Sequence, residues 1–159
     1  MKLLQSHDDV FVLGFDPVEK QALLDTLKGF PSVPPSHHRL SKSSLVATDE
    51  NQKLLDESLA AQRAQNIKQM SVLLTKPGRL KRVANKWQFT VTRPEIELLL
   101  QVINDVRVGS WIALGSPDLE QENGMVFDEK TLPLILRMEL SGYLEEFFIG
   151  VVSGEIPPA

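Results

Sequence analysis

A chain of 159 residues with a formal charge of −4 and 42% hydrophobic content can bury the core of one domain, and its acidity argues against a general nucleic-acid binder. It contains no cysteine, which removes disulfides, thiolate nucleophiles and thiolate metal sites, and a cytoplasmic setting is expected. No apolar run approaches about 18 residues, so no membrane-spanning helix is expected, and the opening turns polar at Gln5-Ser6-His7-Asp8-Asp9, too early for a signal peptide.

In chain order, residues 2–6 and 10–15 read as strands around a polar turn, because Phe11, Leu13 and Phe15 alternate as a half-buried strand requires. Asp16-Pro17-Val18-Glu19 then opens a helix: Asp16 caps it, Pro17 suits its first position and Glu19 completes a capping box. Leu23, Leu24 and Leu27 form its buried side, and Gly29 with Pro31 ends it. Residues 31–48, rich in proline, serine and basic side chains, read as a long exposed loop.

A long helix is expected over 49–74, with Leu55, Leu59, Ile67, Met70 and Leu74 as its apolar stripe. On a helical wheel Arg63 falls inside that stripe and Asn66 at its edge. Residues 79–91 read as a second hairpin turning near Ala84-Asn85, and Thr92-Arg93-Pro94-Glu95 opens a helix that Gly115 stops. After an acidic connection, a last helix over 131–152 is apolar almost all round, which suits a core centre or an oligomer interface. The expected fold is α+β and mostly helical, with four or so helices packed on a small antiparallel sheet made from two β-hairpins. It forms a single domain over 1–154 with a tail at 155–159.

The two hairpin–helix segments superimpose at one constant offset. Phe11, Leu13 and Phe15 fall on Trp87, Phe89 and Val91; Asp16 falls on Thr92, Glu19 on Glu95, and Leu23, Leu24 and Leu27 on Leu99, Leu100 and Ile103. This pattern reads either as a ββα duplication or as the convergence of any strand followed by a capped amphipathic helix.

The residues with chemical potential are few. Asn104, Asp105 and Arg107 interrupt an otherwise apolar helix, and a buried charge there must be paired or strongly hydrogen-bonded. The favoured reading is a buried polar network with Arg63 and Asn66. The alternatives are a recognition pocket for an acidic or peptide group, and an enzyme using a carboxylate–arginine pair. Lys76, Arg79, Lys81, Arg82 and Lys86 lie near Trp87 and Phe89, a pairing of bases with aromatics that can hold nucleic acid; charges protecting an edge strand explain it better in an acidic chain. No metal site is expected. His37-His38 and His7 are poorly spaced for one, and Asp118 to Glu129 resembles a calcium loop but has its glycine at the seventh position. On the last helix Tyr143, Phe147 and Phe148 are the candidate anchors for a protein partner or a homodimer.

Several of these residues also carry a family resemblance. Ile103-Asn104-Asp105-Val106-Arg107-Val108 through Leu114-Gly115 is similar to the Leu-Asn-Asp-Leu-Arg-Leu stretch of a bacterial domain of unknown function, number twenty-seventeen. Val10 to Leu27 resembles that family's opening strand and helix, and Tyr143-Leu144-Glu145-Glu146-Phe147 its final helix; Trp111 departs from it, standing where the family has a small residue. The family lacks an established activity, and its members often lie beside the Clp protease adaptor in bacterial genomes. The resemblance therefore implies a fold and a link to protein turnover. The sequence as a whole points to a non-catalytic interaction or regulatory protein without a cofactor, the alternative being a small-ligand or nucleic-acid binding module. A deep pocket at Asn104, Asp105 and Arg107 would favour a ligand, and a flat apolar patch on the last helix a protein partner.

Overall fold

The computed structural model describes residues 1–38, 48–121 and 124–159. Strands β1 (Lys2–His7) and β2 (Val10–Phe15) form the first hairpin, and β3 (Leu80–Val83) and β4 (Lys86–Thr92) the second. Both turns place a non-glycine residue in the left-handed region, Asp8 at φ 51 and Ala84 at φ 54, the conformation a tight hairpin turn demands. The hairpins join through their later strands, giving one antiparallel sheet of order β1-β2-β4-β3. Its central register sets Phe11 against Val91, Leu13 against Phe89 and Phe15 against Trp87.

Each hairpin feeds a capped helix. For α1 (Pro17–Lys28) the Asp16 carboxylate accepts the Glu19 N–H at 2.8 Å, while Glu19 accepts the Asp16 N–H at 2.9 Å. For α3 (Arg93–Ala113) Glu95 accepts the Thr92 N–H at 2.7 Å, and Gly115 leaves the helix at φ 88. The other helices are α2 (Asp49–Thr75) and α4 (Leu132–Ser153). All are within a residue or two of the expected bounds. Among the described residues, four α-helices on a four-stranded antiparallel sheet make this a mostly helical α+β fold.

The alternation in β2 and β4 turns Phe11, Leu13, Phe15, Phe89 and Val91 to one face, where they are buried with Leu23 and Leu27 of α1. Helix α3 adds Ile96, Leu99, Val102 and Ile103, and α4 adds Leu144, Phe147, Phe148 and Val151. Phe147 stands edge-on to both Phe15, at 6.2 Å between centroids, and Phe148, at 5.7 Å. The surface expected of Phe147 and Phe148 is therefore corrected. Both belong to this chain's own core, because α4 lies along α3 and an all-apolar helix uses whichever face meets its neighbours.

Helix α2 also departs from expectation. Only Met70 and Leu73 are buried, and Ile67, assigned to the apolar stripe, is 47% exposed. The helix leans on α3 mainly through its last turns, so its inward line runs Leu59, Arg63, Asn66, Met70, Leu73 and carries Ile67 off to one side. Of the expected 31–48 loop, Pro35–His38 forms one 3₁₀ turn, and residues 39–47 lie outside the described residues. The 155–159 tail is docked: Ile156 packs on the core with its N–H on the Gly150 carbonyl, and Ala159 N–H donates to the Leu3 carbonyl at 2.8 Å.

Candidate functional site

Asp105 sits midway along α3, where residues 30–33 pass close. Its Oδ1 accepts the Ser32 N–H at 2.5 Å and the Val33 N–H at 3.2 Å. Arg63, reaching over from α2, donates through Nη2 to the Val33 carbonyl at 2.7 Å and lies 3.6 Å from Asp105 Oδ2. One turn further along α3, a Cβ added at Gly109 would meet Ser32 Cβ at 2.4 Å and its carbonyl carbon at 2.6 Å. The absence of a side chain at 109 lets the connection lie flat on the helix. The charged pair expected between α2 and α3 is thus a strap that holds a loop, with Val33 buried beneath it.

Beside the strap, α2, α3 and residues 30–38 enclose an open cleft of about 320 Å³. Four carboxamides line it: Gln62 and Asn66 from α2, Gln101 and Asn104 from α3. Among the described residues none of the four has a hydrogen-bond partner. Arg63, Asp105, His37 and His38 complete the polar wall, and Phe30, Val33, Leu59 and Val108 the apolar one. A second, largely apolar cavity of about 310 Å³ continues past His38, Leu59 and Arg63 to Pro35, Ala60 and Ile67. Sequence reasoning found Arg63, Asn66, Asn104 and Asp105 but missed Gln62 and Gln101. The signal was present, since Gln101, Asn104, Asp105 and Val108 share the spacing of one helix face.

Arg107 leaves this group. It points toward α4, where Nη1 donates to Glu145 Oε2 at 2.7 Å, and the guanidinium passes over Gly142, where a Cβ would make an ordinary contact of 3.6 Å with Arg107 Cζ. The second oxygen, Glu145 Oε1, is buried without a partner among the described residues. Asp105 and Arg107 thus face different neighbours, and Asn104 lines both the cleft and a depression that it shares with Arg107. Trp111 hydrogen-bonds the Pro117 carbonyl at 2.9 Å and so fastens the connection after α3.

The basic cluster does not assemble as a stacking platform. Arg79 is bound to Glu95 at 3.0 Å and to the Thr90 carbonyl, and Arg82 to the Ala84 carbonyl. Phe89 is fully buried and Lys20 lies 4.5 Å above the Trp87 ring. Lys76, Lys81 and Lys86 are left as solvated charges. In the acidic connection Asp118 accepts from Glu120 and Gln121, and Asp128 from Lys130 and Thr131, so both carboxylates serve their own turns; Glu122, the fifth position of the calcium-like spacing, lies outside the described residues. The backbone bonds from Thr131 and Lys130 hold the Asp128 carboxyl below its usual range. No three His, Asp or Glu side chains among the described residues gather at metal-binding spacing, and no helix there is long and apolar enough to cross a membrane. Tyr143, the third proposed interface anchor, is 55% exposed on α4.

No family model, curated protein or solved structure matches the chain.

Proposed function

We propose that this chain is a non-catalytic binding protein whose recognition site is the α2–α3 cleft, and that its ligand is a short extended peptide carrying acidic groups. The observation that supports this is the set of four carboxamides lining one open cleft beside Arg63, none of them bonded to another of the described residues. A carboxamide offers a donor and an acceptor at once, which complements the paired N–H and C=O of a peptide backbone. The guanidinium adds directional attraction for a carboxylate, and the neighbouring apolar cavity suits an aliphatic side chain. The local chemistry favours binding over turnover of a substrate, because the Asp105 carboxylate is held by two backbone N–H groups and a guanidinium, always protonated, offers donors but no proton exchange. A setting in the bacterial cytoplasm and a link to protein turnover are what the family resemblance implies for such a peptide.

The test is a titration of isotopically labelled protein with short blocked peptides carrying one or two glutamates, followed by NMR. Saturable shifts should centre on the side-chain amides of Gln62, Asn66, Gln101 and Asn104. The double variant N66A/N104A should weaken binding about tenfold or more, at roughly 1 kcal/mol per lost hydrogen bond, and should leave melting unchanged. Binding with shifts elsewhere, or binding indifferent to the double variant, would remove the cleft as the site.

A further inference from the structure

The outer face of α2 carries a second pattern, which meets the proposed site only where Ala64 borders the apolar cavity. Leu54, Glu57, Ala61, Ala64, Lys68 and Val72 follow one another at spacings of three and four residues, so they form one stripe along the helix. All six are exposed, Leu54 at 58% and Val72 at 56%. The cleft residues Leu59, Gln62, Arg63 and Asn66 lie on the other side of the same helix. Small residues occupy the middle of the stripe, one charge of each sign flanks them, and an aliphatic residue closes each end.

We infer that this stripe pairs with the same stripe of a second copy, α2 against α2 in antiparallel orientation. The charges select both partner and direction. About a two-fold axis between Ala61 and Ala64, Glu57 of one copy falls opposite Lys68 of the other, and the pair occurs twice. A parallel arrangement would instead oppose Glu57 to Glu57 and Lys68 to Lys68, which repel. Among the described residues Lys68 has no ion-pair partner, and none of the residues three or four positions away from it is charged. Glu57 has only the exposed Lys53 at 3.9 Å, a contact worth little by itself. The two alanines let the helix axes approach closely where they cross, and Leu54 comes beside Ser71 and Val72 of the second copy. The stripe runs about 27 Å at about 1.5 Å per residue. That is a small interface, so the dimer is weak, with Kd in the range of about 10–100 μM.

Sedimentation equilibrium over a concentration series spanning that range tests the inference. The wild-type average mass should rise toward twice that of the chain. Glu57→Lys or Lys68→Glu alone should weaken association about tenfold, since each turns both attractive pairs into repulsive ones. The swap E57K/K68E should restore it to within about threefold of wild type. The three variants are substituted only at exposed helical positions, so their circular dichroism should agree with that of the wild type. A wild type that stays monomeric throughout would overturn the inference. So would a dimer that neither single reversal weakens, which would move self-association to another surface such as Leu136 and Tyr143 on α4.

Discussion

Asp105 and Arg63 touch, but their losses should differ. Asp105→Ala removes the acceptor of two backbone N–H groups and leaves Arg63 without its carboxylate, so unfolding in urea should show a loss of about 2–4 kcal/mol. Arg63→Met removes one bond to a carbonyl across a longer ionic contact and should lose about 1–2 kcal/mol. Equal losses would mean that the ion pair, rather than the strapped loop, dominates. Gly109→Ala tests the same contact from the steric side. Its new methyl group meets the backbone of Ser32 as well as its side chain, so the loop itself must move, at about 1–3 kcal/mol. Across the helix, Arg107→Met strips the buried Glu145 carboxylate of its one partner among the described residues. The paired replacement R107M/E145L should melt above the single variant, because a buried carboxylate is costly only while it lacks compensation.

At the scale of elements, α4 is the helix whose inward and outward residues are most clearly separated. Phe148→Ala should lose about 3–5 kcal/mol of stability, and Tyr143→Ala no more than about 0.5 kcal/mol. The start of α4 depends on Asp128, whose lowered pKa fixes the sign of a pH effect. A carboxyl depressed in the folded state below its ordinary value of 3.8 stabilises fully above that value and loses its contribution as pH falls through the folded pKa. The protection of the Lys130 and Thr131 amides, measured relative to intrinsic exchange at each pH, should therefore fall in acid, and Asp128→Ala should lower it at neutral pH as well. Local signals of this type were the legible part of the sequence. The caps at Asp16 and Thr92, the stops at Gly29 and Gly115, the turn at Ala84 and the alternation of β2 and β4 each have a cause within a few residues. The phase of α4 is not legible, since apolar residues on every side leave no direction marked, and the pattern alone leaves Phe147 and Phe148 between a core and an interface. Ile67 falls outside the buried line because the inward side of α2 runs through the polar Arg63 and Asn66, which an apolar stripe passes over. Glu145 went unnoticed as the partner of Arg107, because ion pairing across 38 residues has no local signature. Arg63 and Asp105 could be matched, as each stood out against an apolar face.

For the molecule as a whole, the central feature is that the two hairpins meet through β2 and β4. Helix α4 then closes the same core from the far end of the chain, so a fragment ending at Gly115 would lack Leu144, Phe147, Phe148 and Val151. Each buried side chain of that size is worth about 1.5–3 kcal/mol, and together they approach or exceed the net stability of an ordinary domain. Such a fragment should show the dispersed NMR spectrum of a folded protein only when a peptide spanning α4 is added. The β2–β4 pairing also has a consequence for synthesis. The first hairpin is made early, yet the strand that covers its inner edge ends at Thr92. At about 5–20 residues per second, roughly 4–15 s separate the emergence of Phe15 from that of Thr92. During this interval β2 presents Phe11, Leu13 and Phe15 on an unpaired edge, the form of strand most prone to join another chain. Slowing translation between these points should lower the yield of folded protein while leaving the melting temperature of the recovered molecules unchanged. Exposure of a nascent chain to aggregation is thus set by strand order, and chaperone demand should follow the length of that wait.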